Sequence, residues 1–488
     1  HGPWPDAPRG MPRACREGHA AMPLSPEATS LAVILAAVVV LWVTEALPLP
    51  VTALAGAVAC VVAGVAPAEE VFRPFADPVV FLFIGSFMLA EAIRVHGLDR
   101  RLAYAVLGLS WVGERPRRVM AAVAFVSALV SAFISNTVTT AMMVTIVGGM
   151  VVAIEDAAAR HGSGAGARLE PAFASGLLLC VAFAASIGGL ATPIGTPPNV
   201  IGLAFIRDTL GVDLSFAAWC SLGVPIVVVL TTIAGLLLGW MFPAGVERLP
   251  GVADLVARER RALGGWTSGQ RSTATAFAVT VALWVLPGML AVVLGQRHPT
   301  VVALGARCPE GVAALAGALL LFLLPGGPGR RALAWSEASR IDWGIILLYG
   351  GGMALGKLAF TTGLAEAIGR GLTGWLPSGT GAAALVAAAA LVAVLTSEFT
   401  SNTASVNMVV PVAIALARSA GGDPLTAALA ATFAASLGFM LPVSTPCNAI
   451  VYGTGRVPLR SMIAAGAVLD VIGVIVVTAA LLVASGGW

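Results

Sequence analysis

The stretch LTSEFTSNTASVNMVVP, Leu395 to Pro411, gathers Thr396, Ser397, Glu398, Thr400, Ser401, Asn402, Thr403, Ser405 and Asn407 amid long runs of Ala, Val, Leu and Gly. A second stretch, SALVSAFISNTVTTAMM from Ser127 to Met143, carries the same Ser-Asn-Thr core 266 residues earlier. A polar group taken out of water without a partner is costly. Clusters like these therefore need a ligand, a neighbour or a watery cavity.

The surroundings are membrane-like. Of 488 residues, 58% are hydrophobic and 11% charged, with a mean hydropathy of +0.92, which no water-soluble surface supports. Uncharged or nearly uncharged runs lie at about 31–48, 50–66, 78–93, 173–206, 216–243, 272–295, 308–325, 343–361, 424–453 and 461–485. Each approaches or exceeds the roughly 18 to 20 residues that cross a hydrocarbon core, so ten spans are expected. The regions 119–153 and 382–417 are each split by a Ser-Asn-Thr and are read as hairpins that enter the membrane and return.

A net charge of +3 gives no reason to invoke nucleic acid. The arginines gather in loops, as at Arg100 to Arg118 and Arg248 to Arg271, and read as topology signals that keep those loops in the cytoplasm. The six cysteines form no CxxC pair and read as packing residues. Residues 1–29 are Pro-rich and polar, lack the apolar core of a signal peptide, and are read as a disordered tail.

The order of features repeats. A shift of 266 lays GSFMLAEAIRVHGL, from Gly85, over GGMALGKLAFTTGL, from Gly351; VTALAGA from Val51 matches VAALAGA from Val312. Further on, SIGGLATPIGTPPNVI from Ser186 matches SLGFMLPVSTPCNAI from Ser436, with Pro193 on Pro442. The changing shift needs only loop insertions such as HGSGAGARLE at 161–170. Each half holds five spans and one hairpin, and an odd number of crossings turns the second copy upside down, the inverted repeat of many secondary transporters. The halves are residues 30–243 and 272–488, joined by a cytoplasmic linker at 244–271.

Non-helical backbone is tolerated at membrane depth only where it faces protein or a watery cavity. Ser, Asn and Thr are favoured helix caps, so each triplet would turn its hairpin and start the returning helix. The exposed N–H groups and the positive end of the helix dipole there favour an anion. Two such tips suit a ligand negative at both ends. ATPIGTPPN (191–199) and LPVSTPCN (441–448) place prolines inside apolar helices, breaking them and freeing carbonyl oxygens of the kind that bind Na⁺. No Lys or Arg lies in these motifs, so co-bound cations would have to balance a buried dianion. Glu398 either tunes the site or bonds a hydroxyl or backbone N–H; Glu45, Glu91, Arg94 and Lys357 are further intramembrane charges. The glycines of YGGGMALG read as helix-packing positions.

These paired SNT and Thr-Pro motifs, with WVTEALPLP and IDWGIILLYGGGMALG, resemble the divalent anion/sodium symporter family from about residue 30 to the end. The resemblance implies an all-α polytopic membrane protein with inverted five-span repeats, two re-entrant hairpins and two broken helices. It also implies a homodimer in which a mobile transport domain rides on a scaffold as an elevator. It assigns substrate carboxylates to Ser135, Asn136, Thr137, Ser401, Asn402 and Thr403, helped by Thr196, Thr445 and Pro446. One sodium site would use Ser131, Ser135, Asn136 and the Gly195 carbonyl; its mate would use Ser397, Thr400, Asn402 and the Ser444 carbonyl. The sequence departs from the family where Thr145 and Cys447 replace the usual prolines and where Ser444 replaces a small apolar residue.

The expected function is Na⁺-coupled uptake of C4-dicarboxylates (succinate, malate, fumarate) across a bacterial inner membrane. Na⁺ is the only co-bound species expected, with no organic cofactor; lipids and a second copy are the expected partners. A Na⁺-independent exchanger and a citrate or sulfate carrier remain alternatives. An intramembrane enzyme is disfavoured, because no HExxH, no GxxxxGK followed by Ser or Thr, and no paired acids at catalytic spacing occur.

Overall fold

The computed structural model describes residues 24–160, 170–295, 297–374 and 381–486. The first half begins with α1 (Pro26–Thr44), α2 (Leu49–Val62), the short α3 (Ala68–Phe72) with a 3-10 turn at Arg73–Ala76, α4 (Pro78–Val95) and α5 (Leu98–Leu107). A hairpin of α6 (Pro116–Ser131) and α7 (Asn136–Arg160) follows, then α8 (Pro171–Gly188), α9 (Pro197–Leu210) and α10 (Phe216–Met241). The amphipathic α11 (Val252–Ala262) lies in the linker.

In the second half come α12 (Ser268–Leu294), α13 (Pro299–Arg307), α14 (Glu310–Leu323), two tiny antiparallel strands at Pro325–Gly327 and Arg330–Arg331, and α15 (Trp335–Ala338). Then follow α16 (Trp343–Thr361), α17 (Leu364–Thr373), the hairpin α18 (Ala382–Phe399) and α19 (Asn402–Ala420), and finally α20 (Pro424–Ala434), α21 (Pro446–Gly453) and α22 (Leu459–Ser485).

Local chemistry sets these boundaries. Ser25, Asp77, Ser215, Thr267, Ser401 and Asp423 cap their helices through side-chain oxygens, and proline occupies a first-turn position of α1, α2, α4, α6, α8, α9, α20 and α21. A missing N–H costs nothing at that position. Glycines in the left-handed region, Gly97 (φ 63°) and Gly363 (φ 76°), make the same turn into α5 and α17.

The two halves interlock. α2 packs on α16, while its counterpart α14 packs on α4, the counterpart of α16. The contact is glycine-dependent in both places: a β-carbon on Gly85 would fall 2.5 Å from the Ala314 carbonyl carbon, and one on Gly351 would fall 2.7 Å from Ala53. Likewise α9 meets α19 and α20, while α21 meets α7 and α8. Aromatic pairs cross the same boundary, Phe183 with Phe439 at 5.0 Å and Trp219 stacked on Phe433 at 4.4 Å. One large apolar core holds most of the molecule, and a smaller one joins α1, α2, α16 and α17.

Among the described residues, nine helices are long and apolar enough to cross a membrane, or ten if α13 and α14, bent by 61°, form one span. The chain is a multi-pass membrane protein. The expected spans at 173–206 and 424–453 are each two half-helices, since Pro193, Pro197, Pro442 and Pro446 leave 189–196 and 435–445 non-helical. The expected span at 308–325 is helical only over Glu310–Leu323, because Cys308 and Pro309 end α13 and redirect the chain. Helix α1 begins at Pro26, so the polar tail ends sooner than 29; residues 1–23, like the insertion at 161–169, lie outside the described residues.

The linker is more than a connector. Arg100 of α5 pairs with Glu259 of α11 at 2.6 Å, and Arg101 donates to the carbonyls of Leu263, Gly264 and Gly265 just past the end of that helix.

Candidate functional site

Each hairpin turns where its sequence places the triplet. Between α6 and α7 the turn occupies 132–135, and Asn136 begins the returning helix. Between α18 and α19 it needs only Thr400 and Ser401, whose extended backbone reverses the chain; the Ser401 hydroxyl then accepts from Ala404 N at 3.1 Å. The same bond recurs at both tips: Ser131 Oγ donates to Asn136 Oδ1 at 2.7 Å, and Ser397 Oγ lies 2.7 Å from Asn402 Oδ1. Ser397 Oγ is also 2.8 Å from the Ala435 carbonyl. A hydroxyl has one proton, so these two acceptor oxygens compete for it.

Each break in the Thr-Pro motifs is stapled by the asparagine that ends the motif. Asn199 Nδ2 donates to the carbonyls of Gly189 and Thr192, both at 2.8 Å; Asn448 Nδ2 donates to those of Gly438 and Leu441 at 3.3 and 3.0 Å. Both asparagines are fully buried, and the amide oxygen of each has no hydrogen-bond partner among the described residues. Neither was among the expected site residues. The signal was present, since 199 and 448 stand at the same shift of 249 as the prolines.

Tip and break meet in each half. A β-carbon on Gly189 would sit 2.4 Å from Asn136 Oδ1, and one on Gly195 would sit 2.9 Å from the Ala132 carbonyl. Thr192 donates a short hydrogen bond to that carbonyl. In the second half a β-carbon on Gly438 would press on Ser444 Oγ at 2.1 Å and Ser397 Oγ at 3.1 Å, and Ser444 Oγ donates to the Gly438 carbonyl at 3.0 Å. Ser131, Asn136 and Gly195 thus gather at one tip, and Ser397, Asn402 and Ser444 at the other.

The remaining expected residues are placed less uniformly. Thr196 and Thr445 are buried in the breaks; Thr445 caps α21 by accepting from Asn448 N at 3.1 Å, whereas Thr196 leaves α9 without a side-chain cap. Thr400 is buried and donates to the Thr396 carbonyl at 2.8 Å, which commits its proton but leaves its lone pairs. Asn136, Thr137, Ser401, Asn402 and Thr403 are half-buried, as residues that meet a ligand would be; Ser135 and Pro446 are exposed.

Glu398 lies fully buried beside the second tip and accepts from Met440 N at 2.8 Å and Leu441 N at 3.0 Å; Asp470 of α22 accepts from Phe439 N at 3.2 Å. Two carboxylates therefore hold three consecutive amides of the second break, and Glu398 takes the backbone-bonding role. Of the other intramembrane charges, Glu45 is the exposed left-handed cap of α1 (φ 49°), and Glu91 pairs with Arg94 at 2.5 Å. Gly350, Gly351 and Gly352 admit Phe75, Ala53 and Asn407 respectively.

The helices α7, α9, α19 and α21 all begin at the tips and breaks. Their first N–H groups and dipoles supply positive potential without any cationic side chain. Buried carbonyl, amide and hydroxyl oxygens stand beside them. The arrangement can hold an anion on amides and small hard cations on oxygens.

A family model described as the sodium:sulfate symporter transmembrane region matches residues 20–486. The sodium-dependent dicarboxylate transporter SdcS of Staphylococcus saprophyticus is 30% identical over 440 residues, covering 89% of this chain and 82% of that protein; SdcS of Staphylococcus aureus strain USA300 matches to the same extent. Among solved structures, the YdaH transporter of Alcanivorax borkumensis aligns with a TM-score of 0.54 at 15% identity, covering 86% of both chains. MtrF of Neisseria gonorrhoeae aligns with a TM-score of 0.54 at 17% identity, covering 85% of this chain and 82% of its own. At such identities these two structures speak to the fold alone.

Proposed function

The chain belongs to the sodium:sulfate symporter transmembrane family, and from that premise we propose that it imports C4-dicarboxylates such as succinate, malate and fumarate together with Na⁺. The observation that carries the proposal is the doubled oxygen constellation: Ser131 with Asn136 and Ser397 with Asn402, each against a break stapled by its own asparagine. Segments 119–159, 171–206, 382–417 and 424–455 contain no Lys or Arg. A dianion there needs counter-charge, since an uncompensated ion in a low-dielectric site is costly. Na⁺ on the oxygens answers that need, and the names of the SdcS relatives agree with both ion and substrate.

In this reading the carboxylates bind at Ser135 to Thr137 and Ser401 to Thr403, with Thr196, Thr445 and Pro446 lining the space between. One Na⁺ rests on Ser131, Ser135, Asn136 and the Gly195 carbonyl, the other on Ser397, Thr400, Asn402 and the Ser444 carbonyl. The hairpins and half-helices move as one body against a scaffold that includes α2, α4, α14 and α16, in a homodimer of the inner membrane. The paired Gly85–Ala314 and Gly351–Ala53 contacts support residues 30–243 and 272–488 as inverted copies.

The test is uptake of labelled succinate into proteoliposomes, with an inward Na⁺ gradient or with choline in its place. Uptake should require Na⁺ and proceed into empty vesicles. Uptake that ignores Na⁺ and depends on internal dicarboxylate would replace symport with exchange.

A further inference from the structure

A trough of about 740 Å³ runs between α6 and α10 and ends at the first tip and break. Its floor is made of small residues one helical turn apart, Ala121, Ala124 and Ala128 on α6 with Gly235 and Gly239 on α10. Its rims are large and outward-facing, with Phe125 53% exposed, Val228 59% and Leu236 70%. On a membrane-spanning helix such faces meet lipid. The volume is in the range of about 300–1,000 Å³ of ligand pockets.

The two ends differ. α6 and α10 run antiparallel along the trough, so Arg117 near the start of α6 and Trp240 near the end of α10 share its mouth, and Ala132, Phe133 and Thr192 close its inner end. Trp240 is 79% exposed, as an interfacial anchor would be. Arg117 makes no hydrogen bond or ion pair among the described residues. From Arg117 to Ala132 the helix rises about 22 Å, roughly half of a bilayer ~40–45 Å thick with its headgroups. The trough therefore reaches from headgroup level to the middle. Thr231, nine-tenths buried in its wall, has a hydroxyl without a hydrogen-bond partner among the described residues.

The second half does not repeat this feature. Gly223 and Gly466 each face a break carbonyl, of Leu190 and of Phe439, which sets the register of α10 on α22 at 243. In that register Gly235, Gly239 and Trp240 become Thr478, Leu482 and Val483; in the hairpin register of 266, Arg117 becomes Ala383 and Ala132 becomes Glu398. The charge, the mouth and the glycine side of the floor are lost; of the alanine side, Ala121 and Ala124 become Ala387 and Ala390 but Ala128 becomes Val394. The trough belongs to this face and is no by-product of the duplication.

We propose that the α6–α10 trough is a binding site for one anionic phospholipid, with an acyl chain on the alanine and glycine floor and the phosphate on Arg117. A basic side chain at the end of a cleft between membrane helices is the chemistry that recognises such headgroups. The inner end of the chain lies against Ala132 and Thr192, whose hydrogen bond joins the first tip to its break. Occupancy therefore stiffens that tip.

The test uses the full chain, delipidated in detergent and followed by thermal unfolding as lipid is added back. Phosphatidylglycerol, phosphatidylcholine with the same acyl chains, and palmitate are the three probes. Phosphatidylglycerol should raise Tm by several degrees at concentrations about tenfold below those phosphatidylcholine needs, and palmitate should do less than either. Arg117→Gln should erase the preference between the two phospholipids. Gly239→Leu, at a position with open space around it, should abolish the response to both, and Ala121→Leu should do the same if that variant is poorly expressed. A groove-filled variant that still responds like the parent, an Arg117→Gln protein that keeps its preference, or palmitate equal to phosphatidylglycerol would overturn the assignment.

Discussion

Asn136 and Asn402 each present an amide oxygen to a serine five residues earlier and leave an N–H₂ group beside a helix start. Replacing either by Asp keeps the shape and adds a negative charge. At ~4 Å and an effective dielectric near 20, that charge opposes each carboxylate by about 4 kcal/mol before screening. Asn136→Asp and Asn402→Asp should each lower succinate uptake at least a hundredfold, read in Na⁺-loaded proteoliposome assays; parental uptake would remove these residues from the anion's path. Ser397→Ala removes the proton shared by Asn402 and Ala435 and one oxygen from the proposed cation site. The half-saturating Na⁺ concentration should rise severalfold while succinate affinity at saturating Na⁺ stays near parental. Gly438→Ala would force a methyl onto Ser444 Oγ, so Na⁺ should no longer raise its Tm.

The breaks are built from bonds that reach across the element. Asn448→Ala removes both staples of the second break; the Gly438 carbonyl keeps the Ser444 hydroxyl and the Leu441 carbonyl keeps Ser444 N, so the cost is that of two lost hydrogen bonds, about 0.5–1.5 kcal/mol each. A drop of several degrees in Tm is expected, larger than for Thr403→Ala, whose hydroxyl makes no hydrogen bond among the described residues. The breaks themselves were legible in the sequence, because proline in an apolar run has one physical meaning. So were the tips, where a polar triplet interrupts a span twice in the same order. What holds Met440 and Leu441 was not legible: Glu398 lies more than forty residues away in the chain, and nothing in a linear pattern pairs a carboxylate with particular amides. The helix α11 was missed for a related reason. Its charged face reads as loop, and the surface it lies on comes from distant parts of the chain: it packs on α5 and α7 with Val252 and Val256 buried, Arg100 pairs with Glu259, and Arg260 donates to the Gly108 carbonyl.

For the whole molecule, hydropathy was sufficient for the membrane class and for most spans, since length and absence of charge decide both. It overstated the helix at 308–325, where Pro309 bends the path, and it is blind to which helices touch. The repeated order of motifs in the sequence supplied part of that missing information. Gly351 meets Ala53 across the two halves, and Gly85 meets Ala314. Gly351→Leu would wedge α2 from α16, and Gly85→Leu would wedge α14 from α4; both should lower Tm by a similar amount, whereas Gly371→Leu, with open space around it, should leave Tm within a degree or two. This reciprocal grip also governs how the protein can be made. While the ribosome is still translating the second copy, the Ala53 and Gly85 faces of the first have no mate and stay open to lipid or to the insertion machinery. Two separately encoded pieces divided within the linker should therefore accumulate only when produced together in the same cell.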